Sequence, residues 1–374
     1  MTCFVQLHFL TVYSISNPNR DDMGRPKSAM YGGVHRLRMS SQSLKRAARI
    51  SPAMSDALKG NMGERTQRLG DELFKHLRDE MGASDQKARS ISKDVAQVFG
   101  KLDAAAEKKN PDHVRIRQLA FISPYERQAA MEMAERAYAG ETLERSSKTR
   151  GKAILRTADG AVDIAEKILR KFDGAVDLAM FGRMLADAPK FNREAAVQVS
   201  HAITTHRADV EDDYYTAADD LKSPSEDMGA GFVGEAGFGS GVYYLYVCID
   251  TKRLLKNLDG DSDLARRALE AVTEAFATAS PSGKRNSFAH HTRASFIRAE
   301  AGDQQPRSLA AAFLKPVEGE NLLKESIGKL RKTAELIDKA YGPTADSLIE
   351  MDVLGGTGTL ADVKTFVSGQ LVDA

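Results

Sequence analysis

Basic side chains are concentrated in one segment of the chain, residues 19–49, and their type and spacing suit the binding of phosphate groups. The segment holds eight Lys or Arg residues and two acids, a net charge of +6, whereas the whole chain of 374 residues carries +1. A concentrated basic segment on a nearly neutral protein indicates one anionic partner bound at one place. The basic residues are Arg20, Arg25, Lys27, Arg36, Arg38, Lys45, Arg46 and Arg49.

The second half of this segment has the signals of a capped helix with a basic face. Ser40 and Ser41 are good helix N-caps, and QSLKRAAR continues with residues that favour helices. On such a helix Gln42, Lys45 and Arg49 lie at i, i+3 and i+7 and therefore share one face. The capped end offers free backbone N–H groups and a positive dipole, which suit a phosphate. The pattern favours a phosphate-binding helix, and a solvated basic helix is the alternative.

The first half of the segment, residues 19–39, is expected to form a loop. Gly32 and Gly33 allow the backbone to turn there or to approach a ligand closely. Asp21 and Asp22 could form a metal or general-acid pair, but no other acid or histidine stands nearby in sequence to complete a ligand set. A turn cap that pairs with neighbouring arginines is therefore favoured. We expect no metal and no other cofactor.

Composition is that of an ordinary globular protein. Hydrophobic residues make up 42% of the chain and charged residues 28%, and 374 residues can hold a sizeable core in two or three lobes. No run of residues approaches membrane-spanning length. The apolar N-terminus lacks a basic region, so we expect a strand there and not a signal peptide. Cys3 and Cys248 lie on separate predicted strands, which predicts reduced thiols in a cytoplasm.

The order of predicted elements is that of a ferredoxin-like α+β domain with two insertions. Strands are predicted over 3–13, 195–206, 242–250 and 292–299, and helices over 40–49, 56–190 (a helical block), 261–279, 320–342 and from Thr359 onward. The segment 207–239 is acidic and Gly-rich, which predicts an exposed excursion. With the helical block and this excursion as insertions, the order is strand, helix, strand, strand, helix, strand. The RNA-recognition-motif fold shares that order.

Several blocks of the sequence resemble one family of CRISPR proteins. The first block consists of NRDDM at 19–23, the glycine pair and RxRxSSQSLKRAxR at 36–49. The others are VDLA at 176–179 with GRM at 182–184, HAITTH at 201–206 through TA at 216–217 to DDL at 219–221, and SGVYY at 240–244. Together they resemble the CasC family, the backbone subunit of the type I-E CRISPR Cascade complex. The stretch from about 56 to 170 does not match beyond being helical.

The resemblance implies the architecture that the element order also indicates. The predicted fold is α+β: a ferredoxin-like or RNA-recognition-motif-like palm with a helical fingers insertion and an extended thumb loop or hairpin. The predicted domains are palm residues 1–55 with the basic loop and helix, helical fingers 56–190, a palm strand 191–206, the thumb 207–239 and the second part of the palm 240–374.

The predicted RNA contacts come from the basic segment and from the resemblance. The family places a methionine against the guide bases at the position of Met184, and a basic pair near Lys284 and Arg285. A further cluster, Lys148, Arg150 and Lys152, could meet nucleic acid, although a solvated face explains it at least as well. The predicted RNA-binding residues are Asn19, Arg20, Lys27, Arg38, Ser40, Gln42, Lys45, Arg46, Arg49, Met184, Lys284 and Arg285.

The predicted function is non-catalytic. We expect the chain to bind CRISPR guide RNA along its sugar-phosphate backbone and to polymerise with copies of itself, which leaves the base edges free to pair with target DNA. By the resemblance, its partners are the other Cascade subunits CasA, CasB, CasD and CasE, and the target DNA; no membrane partner is expected. A metal-dependent endoribonuclease of the same superfamily that uses Asp22 is the rival hypothesis. An RNA-independent scaffold is a third.

Overall fold

A computed structural model describes residues 4–110, 112–145, 153–157, 160–186, 188–217 and 232–371. The chain divides into two compact units, each continuous in space but not in sequence. Within the described residues, the first unit takes in 4–57, 197–252 and 266–371, and the second takes in 58–196 and 253–265.

The strands are β1 (Phe4–Ser16), β2 (Ser28–Tyr31), β3 (Val34–Met39), β4 (Glu64–Thr66), β5 (Ala120–Ile122), β6 (Thr142–Arg145), β7 (Ala153–Thr157), β8 (Gly160–Asp163), β9 (Val197–Val199), β10 (Ala202–Thr204), β11 (Glu211–Ala217), β12 (Phe232–Asp250), β13 (Ala294–Gly302) and β14 (Ser347–Asp352). The helices are α1 (Ser41–Arg49), α2 (Pro52–Ala57), α3 (Leu69–Lys75), α4 (Asp85–Ala96), α5 (Ala104–Lys109), α6 (Pro124–Tyr138), α7 (Ile164–Ile168), α8 (Val176–Phe181), α9 (Thr251–Asn257), α10 (Ser262–Thr278), α11 (Arg285–Phe288), α12 (Leu322–Tyr341) and α13 (Leu360–Ser368).

One large antiparallel sheet forms the first unit, in the order β14-β13-β1-β12-β10-β3-β2. The strand β1 lies between β12 and β13 and pairs with both in antiparallel register. The short strands β9 and β10 both pair with the same side of β12. The prediction of a mixed helix and strand fold is therefore confirmed, with a large antiparallel sheet at its centre.

Helices cover both faces of β1. On one face Leu10 packs in a core with Phe296 of β13 and with Ile327 and Leu330 of α12. On the other face the ring of Phe9 lies 6.4 Å from the ring of Phe276 in α10. Because successive side chains of a strand point to opposite faces, a strand covered on both sides reads as a nearly continuous apolar run, as FVQLHFL does here.

His8, within this apolar run, contacts a buried charged cluster formed by β13 and the residues after it. Glu300 is fully buried; Nε of Arg298 lies 2.5 Å from its carboxylate, and Arg307 donates to it as well. Nε2 of His8 lies 3.6 Å from the same carboxylate, and its Nδ1 lies 2.9 Å from the hydroxyl of Tyr244. Burial alone would raise the pKa of Glu300, but the nearby His8, Arg307 and Arg298 hold it well below its usual range. Burial lowers the pKa of His8, so the imidazole is neutral and the carboxylate charged.

The first half of the basic segment is a hairpin, so the expectation of a loop over 19–39 was wrong for much of its length. Strands β2 and β3 pair antiparallel, with Tyr31 opposite Val34 and Gly32 and Gly33 as the two turn residues. Their φ angles are +61° and +79°. Two consecutive positive φ values are required by the tight turns that join twisted strands, and glycine adopts them without strain.

The second unit is built mainly from helices. Leu73 of α3, Val95 of α4 and Ala134 of α6 are buried in its core with Ile122 of β5. The segment predicted as helical also contains two small antiparallel sheets, β4-β5 and β6-β7-β8. These strands have three to five residues each, too short for their side-chain alternation to stand out from a helical pattern.

Among the described residues, no helix combines the length and the apolar character needed to cross a membrane.

We predict that Glu300→Gln destabilises the first unit by about 3 kcal/mol, because Arg298 and Arg307 then lose their buried counter-charge. Since the folded pKa of Glu300 lies below the ordinary carboxyl value, its stabilisation is present at neutral pH and is lost as the pH falls below that value. Urea unfolding followed by circular dichroism measures both effects. The matched control is Glu335→Gln on α12, whose side chain is 69% exposed and should contribute little. Equal destabilisation by the two variants would contradict the prediction.

Candidate nucleic-acid interface

The helix α1 begins as the sequence predicts. Ser40 is the N-cap, and its hydroxyl accepts a hydrogen bond from the backbone N–H of Ser43 at 3.3 Å. The side chain of Asn19 accepts from the backbone N–H of Ser40 at 2.7 Å, which ties the helix start to the beginning of the basic segment. Leu44 and Ala48 are buried and anchor the helix on the sheet side.

The predicted basic face of α1 is present. Gln42 is exposed, while Lys45 and Arg49 are half-buried on the same side of the helix. Partial burial lowers the pKa of Lys45. An ammonium group that has lost part of its hydration attracts a nearby phosphate more strongly than a fully hydrated one, because less water screens the charges.

Backbone pairing brings four more of the predicted residues to the start of α1. The N–H of Lys27 donates to the carbonyl of Asn19 at 2.9 Å, and the N–H of Arg38 donates to the carbonyl of Lys27 at 2.8 Å. Arg20 and Pro26 form an isolated bridge that closes the loop between them. Asn19, Arg20, Lys27 and Arg38 are therefore neighbours of Ser40 in space, although they span twenty residues of sequence.

A histidine that the sequence did not single out for this site supports Arg38. Nη1 of Arg38 lies 3.0 Å from Nδ1 of His201, in the loop between β9 and β10. Burial and the charge of Arg38 lower the pKa of His201, so the neutral ring accepts from the guanidinium. The contact orients Arg38 without cancelling its charge.

Arg36 and Arg25 belong to the basic segment, but their charges are used within the molecule. Arg36 is fully buried and donates to the carbonyls of Thr204 at 3.1 Å and Phe313 at 2.8 Å. Nη2 of Arg25 lies 3.0 and 2.9 Å from the two carboxylate oxygens of Asp212 on β11. The net charge of the segment therefore overstates the charge that it presents to a ligand.

Asp21 stabilises a turn. Its carboxylate accepts from the backbone N–H of Arg25 at 2.9 Å, and the backbones of the two residues also hydrogen-bond. Asp22 is exposed in the same turn. Within the described part of the chain, no group of three or more His, Cys, Asp or Glu side chains is placed to hold a metal ion.

Asn17, which the sequence analysis did not identify, holds this surface together. It is 1% exposed, and its side-chain amide donates to the carbonyl of Gly24 at 3.0 Å and to that of Gly237 at 2.8 Å. The first contact fixes the loop over 19–27, and the second fixes β12. Its partner Gly237 lies 220 residues away in sequence, so no local pattern could have revealed this role.

Arg46 and Arg285 do not lie on this surface. They line a separate groove of about 660 Å³ between the α1–α2 corner and the loop before α11. We call it the α1 groove. It is lined by Pro18, Ser43, Arg46, Ala47, Ile50, Ser51, Pro52, Ala53, Glu274, Thr278, Ala279, Ser280, Pro281, Ser282, Gly283, Arg285, His291, Thr292, Arg293 and Leu360. Arg293 and His291 were not predicted, and only their spatial proximity to Arg46 reveals them.

The backbone around α11, at residues 283–289 beside the α1 groove, is conformationally restricted. Lys284 and Ala289 flank α11 with φ angles of +51° and +48°, which are uncommon for residues other than glycine. A Cβ on Gly283 would lie 2.4 Å from the carbonyl oxygen of Pro18, so this position has no room for a side chain. Nη2 of Arg285 donates to the carbonyl of Ser280 at 2.6 Å, which fixes its guanidinium in the groove wall.

Met184 lies in the second unit and is 80% exposed, so it does not fill the core. Its neighbour Arg183 is buried and forms an ion pair with Glu126 at 2.5 Å. Gly182 precedes it with φ +76°, and a Cβ there would lie 2.9 Å from the carbonyl oxygen of Arg193. The backbone just before Met184 is therefore held in place, while the side chain of Met184 is exposed, flexible and apolar. Lys148, Arg150 and Lys152 lie outside the described residues.

The acidic excursion contains a hairpin in its described part. Strand β11 pairs antiparallel with the first residues of β12, from Glu211 opposite Phe238 to Ala217 opposite Phe232. Every residue of β11 is exposed.

Comparison with known proteins finds one matching family and several similar structures. The family model described as CT1975-like protein matches residues 5–364. A chain of a structure titled "CRISPR RNA-guided surveillance complex, pre-nicking" is 29% identical, with a TM-score of 0.81, and the match covers 98% of this chain and 100% of that one. A chain of a second structure, titled "CRISPR RNA-guided surveillance complex", is 26% identical, with a TM-score of 0.69 and coverage of 98% and 99%. A comparison with curated proteins finds no match. The predicted relationship to backbone subunits of Cascade-type complexes is confirmed.

We predict that Asn17→Ala releases the loop over 19–27. The hydrogen bond to Gly24, worth about 1 kcal/mol, is lost, so backbone amides of this loop should exchange with solvent about fivefold faster. Hydrogen exchange read by mass spectrometry measures this, with exposed Asn286→Ala in α11 as the matched control. Unchanged exchange in the loop would show that other contacts hold it.

Proposed function

The chain belongs to the CT1975-like protein family, and on that basis we propose that it is the guide-RNA-binding backbone subunit of a type I-E Cascade complex. The observation that carries the proposal is the surface at the start of α1. There a capped helix, its basic face and the loop over 19–27 are held together by hydrogen bonds. The Ser40 cap is buried, whereas Arg20 and Gln42 are exposed beside it.

This surface suits the sugar-phosphate backbone of a guide. A guide must present any sequence to a target, so its protein partner should hold phosphates and leave the base edges free. Lysine, arginine, amide and hydroxyl groups around a helix N-terminus are the donors that phosphate oxygens accept from. The proposed backbone contacts are Asn19, Arg20, Lys27, Arg38, Ser40, Gln42, Lys45 and Arg49. Arg46, Lys284 and Arg285 stay predicted RNA contacts. Arg46 and Arg285 lie in the α1 groove and not on the surface described here.

Met184 is proposed to pack against unstacked guide bases. An exposed thioether on a rigid stretch of backbone can wedge between bases without reading their identity. Its 80% exposure and the tight packing of Gly182 support this role.

The palm is proposed to be a ferredoxin-like domain. Four strand positions of the large sheet support this: β1 lies between β13 and β12, and β12 lies between β1 and the β9–β10 pair. Numbered by their order in the chain, these four strands lie side by side in the sheet in the order 4-1-3-2. A domain built as strand–helix–strand–strand–helix–strand has this strand order. Strands β2, β3 and β14 extend it at the two edges.

Copies of the chain are proposed to assemble head to tail along the guide, in the cytoplasm. A repeated head-to-tail contact produces an open helical assembly, as binding along a linear RNA requires. The proposed further partners are CasA, CasB, CasD, CasE and the target DNA, which pairs with the guide. The hairpin of β11 and β12 is the proposed thumb.

We predict that Lys45→Ala weakens binding to single-stranded RNA and lowers the slope of log affinity against log salt by about 1, because one phosphate contact is lost. Fluorescence anisotropy at several salt concentrations measures the slope. Lys332→Ala on α12, a 67% exposed lysine outside the basic segment, is the control and should leave the slope nearly unchanged. A Lys45→Ala variant with the parent's slope and affinity would refute the contact.

We also predict that the protein does not cut nucleic acid. Labelled RNA and single-stranded DNA should stay intact in the presence of magnesium or manganese, because Asp21 serves a turn and Asp22 has no nearby ligand set among the described residues. Cleavage by the parent that disappears in Asp22→Ala would establish the ribonuclease hypothesis instead.

A further inference from the structure

Three exposed cations of the second unit lie close to aromatic rings. The guanidinium carbon of Arg170 lies 4.6 Å from the ring centre of Tyr125. The ammonium groups of Lys171 and Lys256 lie 5.7 and 5.9 Å from the ring centre of Phe172. Tyr125 belongs to α6 and Lys256 to α9, while the other three residues lie between α7 and α8. We call these five residues the Arg170 patch.

The cations of the Arg170 patch carry charge that the protein does not compensate. Among the residues that the structure describes, none of the three forms an ion pair with a carboxylate. Asp173, the acid next to them in sequence, has a buried side chain and pairs with Arg193 at 2.9 Å. Other arginines of the second unit, such as Arg127 and Arg136, pair with glutamates. The patch therefore attracts an anion from outside the chain.

The backbone of Arg170 is fixed from inside the second unit. Its N–H donates to Oε1 of Glu126 at 3.1 Å, and its carbonyl accepts from Nη2 of Arg183 at 3.0 Å. Glu126 is fully buried and forms an ion pair with Arg183. The side chain of Arg170 is exposed, and its Nη2 donates to the hydroxyl of Tyr125. A side chain that is already placed loses less conformational freedom when a ligand binds.

An unpaired nucleic-acid strand has the groups that suit this arrangement. Its phosphates match the three cations, and its bases can stack on aromatic rings and on the planes of arginine guanidinium groups. Tyr125 is 42% exposed, so a strand can reach its ring beside Arg170. A surface that only neutralised phosphates would not need the aromatic rings, and a duplex keeps the faces of its bases inside its own stack.

We propose that the Arg170 patch binds an unpaired nucleic-acid strand, with its cations on the phosphates and with Tyr125, Phe172 and the guanidinium of Arg170 against the bases. The patch belongs to the second unit, whereas the proposed backbone contacts of the guide belong to the first. It therefore does not depend on RNA binding at the start of α1. Phosphates and base faces are common to DNA and RNA, so strands of either kind should bind.

Photo-crosslinking to the full-length protein tests the site directly. Oligonucleotides of DNA or RNA that contain bromouracil, single-stranded or in a duplex, are irradiated with the protein, and mass spectrometry identifies the crosslinked peptides. The variants are Arg170→Ala and Lys256→Ala, whose side chains are both exposed. Exposed Arg117→Ala, in the same unit but outside the patch, is the matched control. Lys45→Ala reports on the proposed guide surface.

Single strands of both kinds should crosslink within the segments 124–138 and 170–172, and duplexes about tenfold less, because their bases cannot stack on the protein. Arg170→Ala should reduce this crosslinking about tenfold, since a base loses its stacking partner and a phosphate its cation. Lys256→Ala should lower the slope of log crosslinking against log salt by about 0.7, the value for one phosphate contact on a single strand.

The two control variants separate this site from the proposed function. Arg117→Ala and Lys45→Ala should both leave crosslinking to the two segments unchanged. If the proposed guide surface does not bind RNA, Lys45→Ala keeps the parent's affinity for RNA, and crosslinking to the Arg170 patch persists in both proteins.

Three results would overturn the site. If no crosslink falls within the segments 124–138 and 170–172, the patch does not hold a strand. If either Arg170→Ala or Lys256→Ala behaves like the parent, its cation does not contact the strand as proposed. If a duplex crosslinks to the patch as strongly as a single strand, the contacts are to phosphates alone and the rings stack no base.

Discussion

The first unit depends on one constraint: β1 is covered on both faces and paired along both edges. Its residues pair with β12 on one side and with β13 on the other. Polar groups on a strand in this position need partners within the protein, because water does not reach them. Gln6 therefore accepts from the hydroxyl of Tyr246 and the backbone N–H of Arg307, and His8 lies against Tyr244 and Glu300. The basic segment leaves directly from the end of this strand, so its position is set by the register of the sheet.

Local patterns predicted the elements whose causes are local. The cap at Ser40, the helix that follows and the glycine pair all depend on residues within a few positions of one another, and the structure contains each of them. The hairpin of β2 and β3 was missed because β2 has only four residues with mixed polarity, although the two glycines were its signal. Asn17 and Arg293 could not be found from the sequence, since their neighbours Gly237 and Arg46 lie more than two hundred residues away along the chain.

The charge of the basic segment is divided among three tasks. Arg36 supports the fold, since its buried guanidinium donates to the carbonyls of Thr204 and Phe313. Arg25 connects the segment to β11 through Asp212. The remaining cations lie before the start of α1 (Arg20, Lys27 and Arg38), on its basic face (Lys45 and Arg49) and in its groove (Arg46). The buried and paired cations must therefore be subtracted before the net charge of a segment indicates how strongly it attracts anions.

The length of strand β12 determines how a force on the β11–β12 hairpin reaches the central sheet. It runs without interruption from Phe232, opposite β11, to Asp250, opposite the start of β1. Nineteen residues at strand spacing extend over about 60 Å, and no flexible linker separates the hairpin from the sheet centre. A load applied at the hairpin is thus borne by the backbone hydrogen bonds of the central sheet. The distance of β11 from the central sheet is therefore set by strand geometry.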